Sequence, residues 1–304
     1  MSLSPAIRKV LVPALLPFFG AGMLILPIAS FAQKPGGQPT GQKVEKHFAV
    51  KNRPVVMIQN VADGRIEIKS WKNPEVVVSA SQSSNKIGLD MEQADDRIEV
   101  TANILDPAAQ ASDLSENIQL TVPEETELQI ETQTGLIYVE QVIGDMKLET
   151  VAGDVHLKEV SGYIVVHTTG GSLVCTQCSG KLDFNTISGN AQILQPSLKN
   201  VNLITTTGNI LFDGDFVRTG IYTMKSGRGL VEVRFAGTDS FDLNAQTSSG
   251  TVDNRAEAFL KPDTHGFKRS ASKYAKGLFG TVGNGLAKVE LSSFSGTVRI
   301  LKRD

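Results

Sequence analysis

Between residues 135 and 193 the apolar positions repeat every nine residues. Counting from the residue that opens each unit, the second, fourth and seventh following positions are Ile137, Val139 and Val142, then Met146, Leu148 and Val151, then Val155, Leu157 and Val160. Ile164 and Val166 follow, then Leu173, Cys175 and Cys178, then Leu182, Phe184 and Ile187; Thr169 is the one polar residue in the set. Alternation over the first two positions predicts a short strand with one inward face, because successive side chains on a strand point to opposite sides. The third position predicts a further inward residue at each corner. Every unit opens on glycine: Gly135, Gly144, Gly153, Gly162, Gly171, Gly180 and Gly189. Such corners need positive φ or close backbone approach, and glycine adopts either without the steric cost of a Cβ. Strand and corner at a fixed short period describe a solenoid.

A second period lies over the first. Thr-Val-Ala-Gly at 150–153, Thr-Thr-Gly-Gly at 168–171, Thr-Ile-Ser-Gly at 186–189 and Thr-Thr-Thr-Gly at 205–208 recur about every eighteen residues. The pattern therefore predicts an all-β, single-stranded β-solenoid, β-helix-like, with two nine-residue strand units per coil. A five-residue strand covers roughly 17 Å, so each coil is a flattened loop with a thin apolar filling.

Outside the ladder the pattern is looser. Residues 44–123 read as an irregular β cap, with strand candidates at 55–58, 64–68, 76–78, 98–100 and 118–122, and Trp71 in a third apolar position. The solenoid region spans 124–304. After Gly189 the units open at Lys199, Gly208, Gly220, Gly229, Asp239 and Gly250, with spacings of nine to twelve that predict loops inserted at corners. A break at about 254–284 interrupts the pattern, and Ala287, Val289, Leu291 and residues 296–300 resume it.

Residues 1–32 have the form of an export signal: Arg8 and Lys9, an uncharged stretch from 10 to 29, then Ser-Phe-Ala at 30–32. The expected location is the periplasm or cell surface, the alternative being an uncleaved N-terminal anchor. Residues 33–43, rich in Pro and Gly, read as a flexible linker. With 30 Lys and Arg against 32 Asp and Glu, the whole chain gives no electrostatic reason to expect nucleic acid.

Candidate chemistry is sparse. Calcium-binding nonapeptide repeats stack a carboxylate after each glycine, but here those positions hold Leu136, Asp145, Asp154, Tyr163, Ser172, Lys181 and Asn190. No metal or cofactor is expected. Cys175 and Cys178 occupy inward positions. They read either as a buried pair of small hydrophobes or as a local disulfide, which requires a tight corner to bring the two within Cα reach. His156 should point outward into solvent. The break carries Lys261, Lys268, Arg269, Lys273 and Lys276 with Phe259, Phe267 and Tyr274 between them. Two readings stand for it: a solvated loop, or a basic surface for an anionic envelope polymer or for lipid, the last a peripheral membrane contact.

The run Ile-Gln-Asn-Val-Ala-Asp-Gly-Arg-Ile-Glu-Ile at 58–68, the following Trp71, Val-Pro at 122–123 and the Thr-x-x-Gly units together resemble a bacterial putative-adhesin family of unknown function. The resemblance covers nearly all of 44–300 and implies an exported β-solenoid; it supplies no catalytic residues. The expected function is a non-catalytic envelope or surface module, adhesin-like or structural, that contacts a protein or glycan. The alternatives are a self-assembling periplasmic scaffold and a carbohydrate-active enzyme on a β-helix, which would need a cluster of carboxylates and Lys or Arg on one outer face.

Overall fold

The computed structural model describes residues 43–256, 268–271 and 276–303. The chain divides into two compact units, 1–38 and 39–304, and every described residue belongs to the second. The expected export signal, and the linker up to residue 42, lie outside the described residues; Lys43 already opens the first strand.

Seven strands precede the ladder: β1 (Lys43–Ala49), β2 (Val55–Asn60), β3 (Asp63–Trp71), β4 (Glu75–Gln82), β5 (Ile87–Ala94), β6 (Arg97–Ile104) and β7 (Ser115–Pro123). The ladder forms β8 (Glu127–Thr132), β9 (Leu136–Glu140), β10 (Met146–Thr150), β11 (Asp154–Lys158), β12 (Ser161–Thr168), β13 (Leu173–Thr176), β14 (Ser179–Thr186) and β15 (Ala191–Leu194). Then come β16 (Ser197–Thr207), β17 (Ile210–Asp213), β18 (Ile221–Arg228), β19 (Val231–Phe235), β20 (Phe241–Thr247) and β21 (Thr251–Asn254). The chain closes with β22 (Lys268–Ala271), β23 (Lys276–Val282), β24 (Ala287–Ser293) and β25 (Thr297–Lys302).

These strands form two sheets. Sheet A has twelve in the order β1-β4-β7-β3-β9-β11-β13-β15-β17-β19-β25-β21, and sheet B has thirteen in the order β22-β23-β20-β24-β18-β16-β14-β12-β10-β8-β2-β6-β5. Within the ladder the chain alternates between them, and parallel partners lie eighteen residues apart, as in Met146 with Ile164 and Val155 with Leu173. The inward residues of both sheets form one continuous apolar core. The fold is thus the expected β-solenoid of two nine-residue units per coil.

The two corners of a coil differ. At the corner from sheet A to sheet B the third apolar position is buried, as at Val142, Val160 and Cys178. At the opposite corner it is exposed, Val151 by 55% and Ile187 by 57%, contrary to the single inward pattern expected from the sequence. There the Thr-x-x-Gly turn takes over, and it is the threonine that turns inward. Thr168 Oγ1 accepts the Gly171 N–H at 2.8 Å, and Thr150 Oγ1 accepts that of Gly153 at 2.8 Å. Further along the same column Thr205 donates to Gly189 O at 3.1 Å, and Ser226 to Gly208 O at 2.8 Å. The hydroxyl closes its own turn at Thr150 and Thr168 and ties the coil to the one before at Thr205 and Ser226, so these polar atoms at the core edge are satisfied.

Gly171 shows why this corner requires glycine. Its φ is not left-handed, yet a Cβ would overlap the carbonyl oxygen of Gly153 in the preceding coil. Close stacking of backbone on backbone sets the residue type here. At the other corner left-handed φ falls on side chains, Gln141, Glu159, Gln177 and Gln195 at 60°, 54°, 55° and 49°, and on glycines, Gly162 and Gly180 at 140° and 97°; Gly135, at a Thr-x-x-Gly corner, is also left-handed at 95°. The residue after the Thr-x-x-Gly glycine is also more than a surface residue. Asp154 Oδ1 accepts the Ser172 N–H at 2.8 Å, and Asn190 Oδ1 accepts that of Asn209 at 2.8 Å.

Both ends of the stack depart from chain order. Residues 44–123, expected to be a cap, supply two parallel coils as well as the cap. The β2–β3 coil packs between the ladder and the later β6–β7 coil, and the antiparallel strands β1, β4 and β5 finish the end. At the other end β24 and β25, last in sequence, lie between β18–β19 and β20–β21. Terminal strands of a solenoid otherwise expose unpaired backbone and apolar filling; antiparallel β22 and β23 cover sheet B at this end.

Candidate binding surface

Sheet B holds a register shift in the parallel stack. Parallel register slips between Gly180 and Lys181, so that Gly180 pairs with Leu198 while Lys181 pairs with Asn200, leaving Lys199 bulged. Bulges bend the strand and re-aim its side chains. Just downstream, Gly214 to Gly220 is an inserted corner. Buried Phe216 stacks on Phe212 with ring centroids 5.3 Å apart and meets Tyr222 edge-on at 4.7 Å. The Tyr222 hydroxyl accepts the Val217 N–H at 2.7 Å and donates to Leu198 O at 2.7 Å, and burial pushes its pKa up to about 12.

Over this anchored kink lies a depression of about 470 Å³ lined by Tyr163, Lys181, Asp183, Asn200, Asn202 and Ile221. A second, of about 360 Å³, continues it toward β24 and β20 past Thr223, Asn244 and Glu290. Strand register makes their shared floor one row, Asp183, Asn202, Thr223, Glu290 and Asn244, on adjacent strands. Asp183 Oδ1 accepts from Asn185 Nδ2 at 2.6 Å and from Asn202 Nδ2 at 3.1 Å. Asn244 Oδ1 is shielded from solvent with no hydrogen-bond partner. Among the described residues, the Tyr163 hydroxyl, the Lys181 ammonium and the Asn200 amide also have none.

The basic break is only partly described. Lys261 and Lys273 lie outside the described residues. Lys268 and Arg269 fall in β22, in register with Phe279 and Leu278 of β23. Lys276 opens β23 and donates to Gly250 O at 3.2 Å. Cys175 and Cys178 are joined by a disulfide with Cα atoms 6.0 Å apart; both are fully buried, and left-handed Gln177 makes the tight corner between them. His156 is half-buried in an outward column with Tyr138 and Val174.

Charged groups gather at two places on sheet A. Across β3, β9 and β11, Arg65 and Lys69 flank Glu67 at 3.1 and 2.8 Å and Lys158 reaches Glu140 at 2.7 Å. The second place is near β17 and β19. Arg303 contacts Asp215 and approaches Asp213 to 3.7 Å, and Arg234 reaches Glu232 at 2.6 Å and Asp213 at 3.5 Å. Asp239 nearby is raised to about 6, mainly by burial and then by Asp215. These carboxylates and arginines pair across β17, β19 and the chain end, where they join strands. Among the described residues no three His, Cys, Asp or Glu side chains are placed to hold a metal.

The trough residues were legible in the sequence only as outward positions. The signal that could have found them is the change of spacing at Lys199, where the ladder's eighteen-residue repeat first slips.

A search of curated proteins gives no match. Among solved structures, a putative adhesin from Bacteroides fragilis matches with 13% identity and a TM-score of 0.49, covering 87% of this chain and 100% of that one. A putative cell adhesion protein from Clostridium sporogenes matches with 10% identity and a TM-score of 0.28, over 86% and 100%. A putative adhesin from Parabacteroides distasonis matches with 8% identity and a TM-score of 0.23, over 87% and 98%. The family model described as Toastrack DUF4097 matches residues 56–301, and the chain belongs to that family.

Proposed function

We propose that the chain is an exported, non-catalytic module of the cell envelope or surface, adhesin-like in that one outer sheet face makes contact with another envelope or surface component. The observation that carries this reading is the trough on sheet B. Its backbone is consumed by strand pairing on both sides, while its outward polar groups include several with no partner in the protein. Such a face offers side chains for recognition. The signal-like pattern at 1–32 and the Cys175–Cys178 disulfide, a bond that persists in oxidising compartments, support export.

Fractionation of cells producing the tagged full-length chain, followed by pull-down from solubilised envelope, tests the reading. Recovery in the exported fractions with a retained envelope component is the expected result. A chain confined to the cytosol with nothing retained contradicts it.

A further inference from the structure

We infer that the sheet B trough is a binding site for an uncharged oligosaccharide; this rests on the surface-contact reading above and names its ligand class. The trough lies in the middle of a sheet, so no peptide can add to it as a strand, and a ligand must be read by side chains alone. Those side chains are short and polar along the floor: carboxylate, amide, hydroxyl, carboxylate, amide from Asp183 to Asn244. At ~4.8 Å per strand the row of five extends roughly 19 Å. Paired donors and acceptors at that repeat suit a chain of hydroxyl-bearing rings, each about one strand spacing long.

The charges argue for a neutral ligand. Lys181 and Lys288 stand against Asp183, Asp242 and Glu290 in the two depressions, so both signs are present and a polyanion would meet carboxylates along the floor. A folded protein partner fits less well, because the cores of such interfaces are depleted of charge and rich in aromatic residues. Tyr163 is the single exposed aromatic ring of the trough, placed at one end where a sugar ring can stack on its face. Asn, Asp and Thr also lose little rotamer entropy when a ligand fixes them. The bulge at Lys199 and the corner anchored by Tyr222 explain why the trough lies here rather than over the regular ladder.

The test is an array of defined neutral and uronate-containing oligosaccharides probed with the full-length chain, with hits measured by calorimetry. Tyr163→Ala and Asn202→Leu are compared with His156→Ala on the opposite sheet, each checked for an unchanged thermal transition. The proposal expects at least one neutral oligosaccharide to bind, and each trough variant to weaken it by about tenfold, the loss of a hydrogen bond or a stacking contact. The His156 variant should bind as well as the parent. Binding of no oligosaccharide, binding of uronates only, or equal binding by the trough variants overturns the site. If envelope pull-down survives that outcome, the surface-contact reading stands without a glycan; if it fails too, both fall.

Discussion

Arg299 Nη1 donates to Glu232 Oε2 at 3.0 Å while its Nε donates to Asp253 Oδ2 at 3.0 Å, so one guanidinium bridges β19, β25 and β21. These residues are 67 and 46 positions apart in sequence, and the bridge spans the place where the last strand pair enters between earlier ones. Glu232 is buried, and it retains Arg234 if Arg299 is removed. Arg299→Met should therefore cost about 2 kcal/mol, the typical loss of charge-assisted hydrogen bonds. Native-state hydrogen exchange should show β24 and β25 losing protection before the ladder does. Uniform loss across all coils would mean that the bridge has no special role at this end.

Thr168 binds the Gly171 N–H with an oxygen that valine lacks but whose shape valine preserves. Thr168→Val should lower stability by about 1 kcal/mol, as for a lost turn cap. Asp154→Ala, which removes the acceptor of the Ser172 N–H, should cost about as much. Chemical denaturation with an unchanged m-value checks both; a neutral Thr168 variant would show that the hydroxyl column is incidental.

Glu116 is fully buried at the outer end of the glycine column, where its carbonyl oxygen abuts Gly64. Gln82 Nε2 donates to one carboxyl oxygen at 3.3 Å and the other has no partner, and burial raises the pKa to about 7 from 4.5. The folded state thus holds the proton more tightly than the unfolded chain. The stability it contributes is complete below about 4.5 and is lost as pH rises through about 7, by up to about 3 kcal/mol. Glu116→Gln should be the more stable protein at pH 8 and show a flatter pH profile. Some slope of the same sign remains from Asp239, raised to about 6. An unchanged profile in the variant would show that Glu116 is ionised in the fold.

The coil was legible because its cause is local: a strand period of two and a corner residue of one type repeat often enough to fix strand, register and core. Val151 and Ile187 misled because an apolar side chain in the right place cannot reveal that the neighbouring threonine takes the inward position. Positive φ was legible at glycines such as Gly135, Gly162 and Gly180, but not at Gln141, Glu159, Gln177 and Gln195, whose sequence carries no local sign of it. The order of the ends could not be read, since strand exchange such as β25 between β19 and β21 depends on contacts far apart in sequence. The trough is further still from the pattern: its residues share a row only because of a bulge that shifts register by one.

The central claim is that at Gly171, Gly189 and Gly208 backbone contact with the preceding coil, rather than φ, selects glycine, while the opposite corner holds side chains such as Gln195 in the left-handed region. Thermal unfolding of Gly171→Ala beside Gln195→Gly tests it most directly. Gly171→Ala should be strongly destabilised, by about 3 kcal/mol or more, although alanine tolerates its φ. Gln195→Gly should be neutral or up to about 1 kcal/mol more stable, since it relieves a left-handed side chain. A tolerated Gly171→Ala together with a destabilised Gln195→Gly would contradict the account.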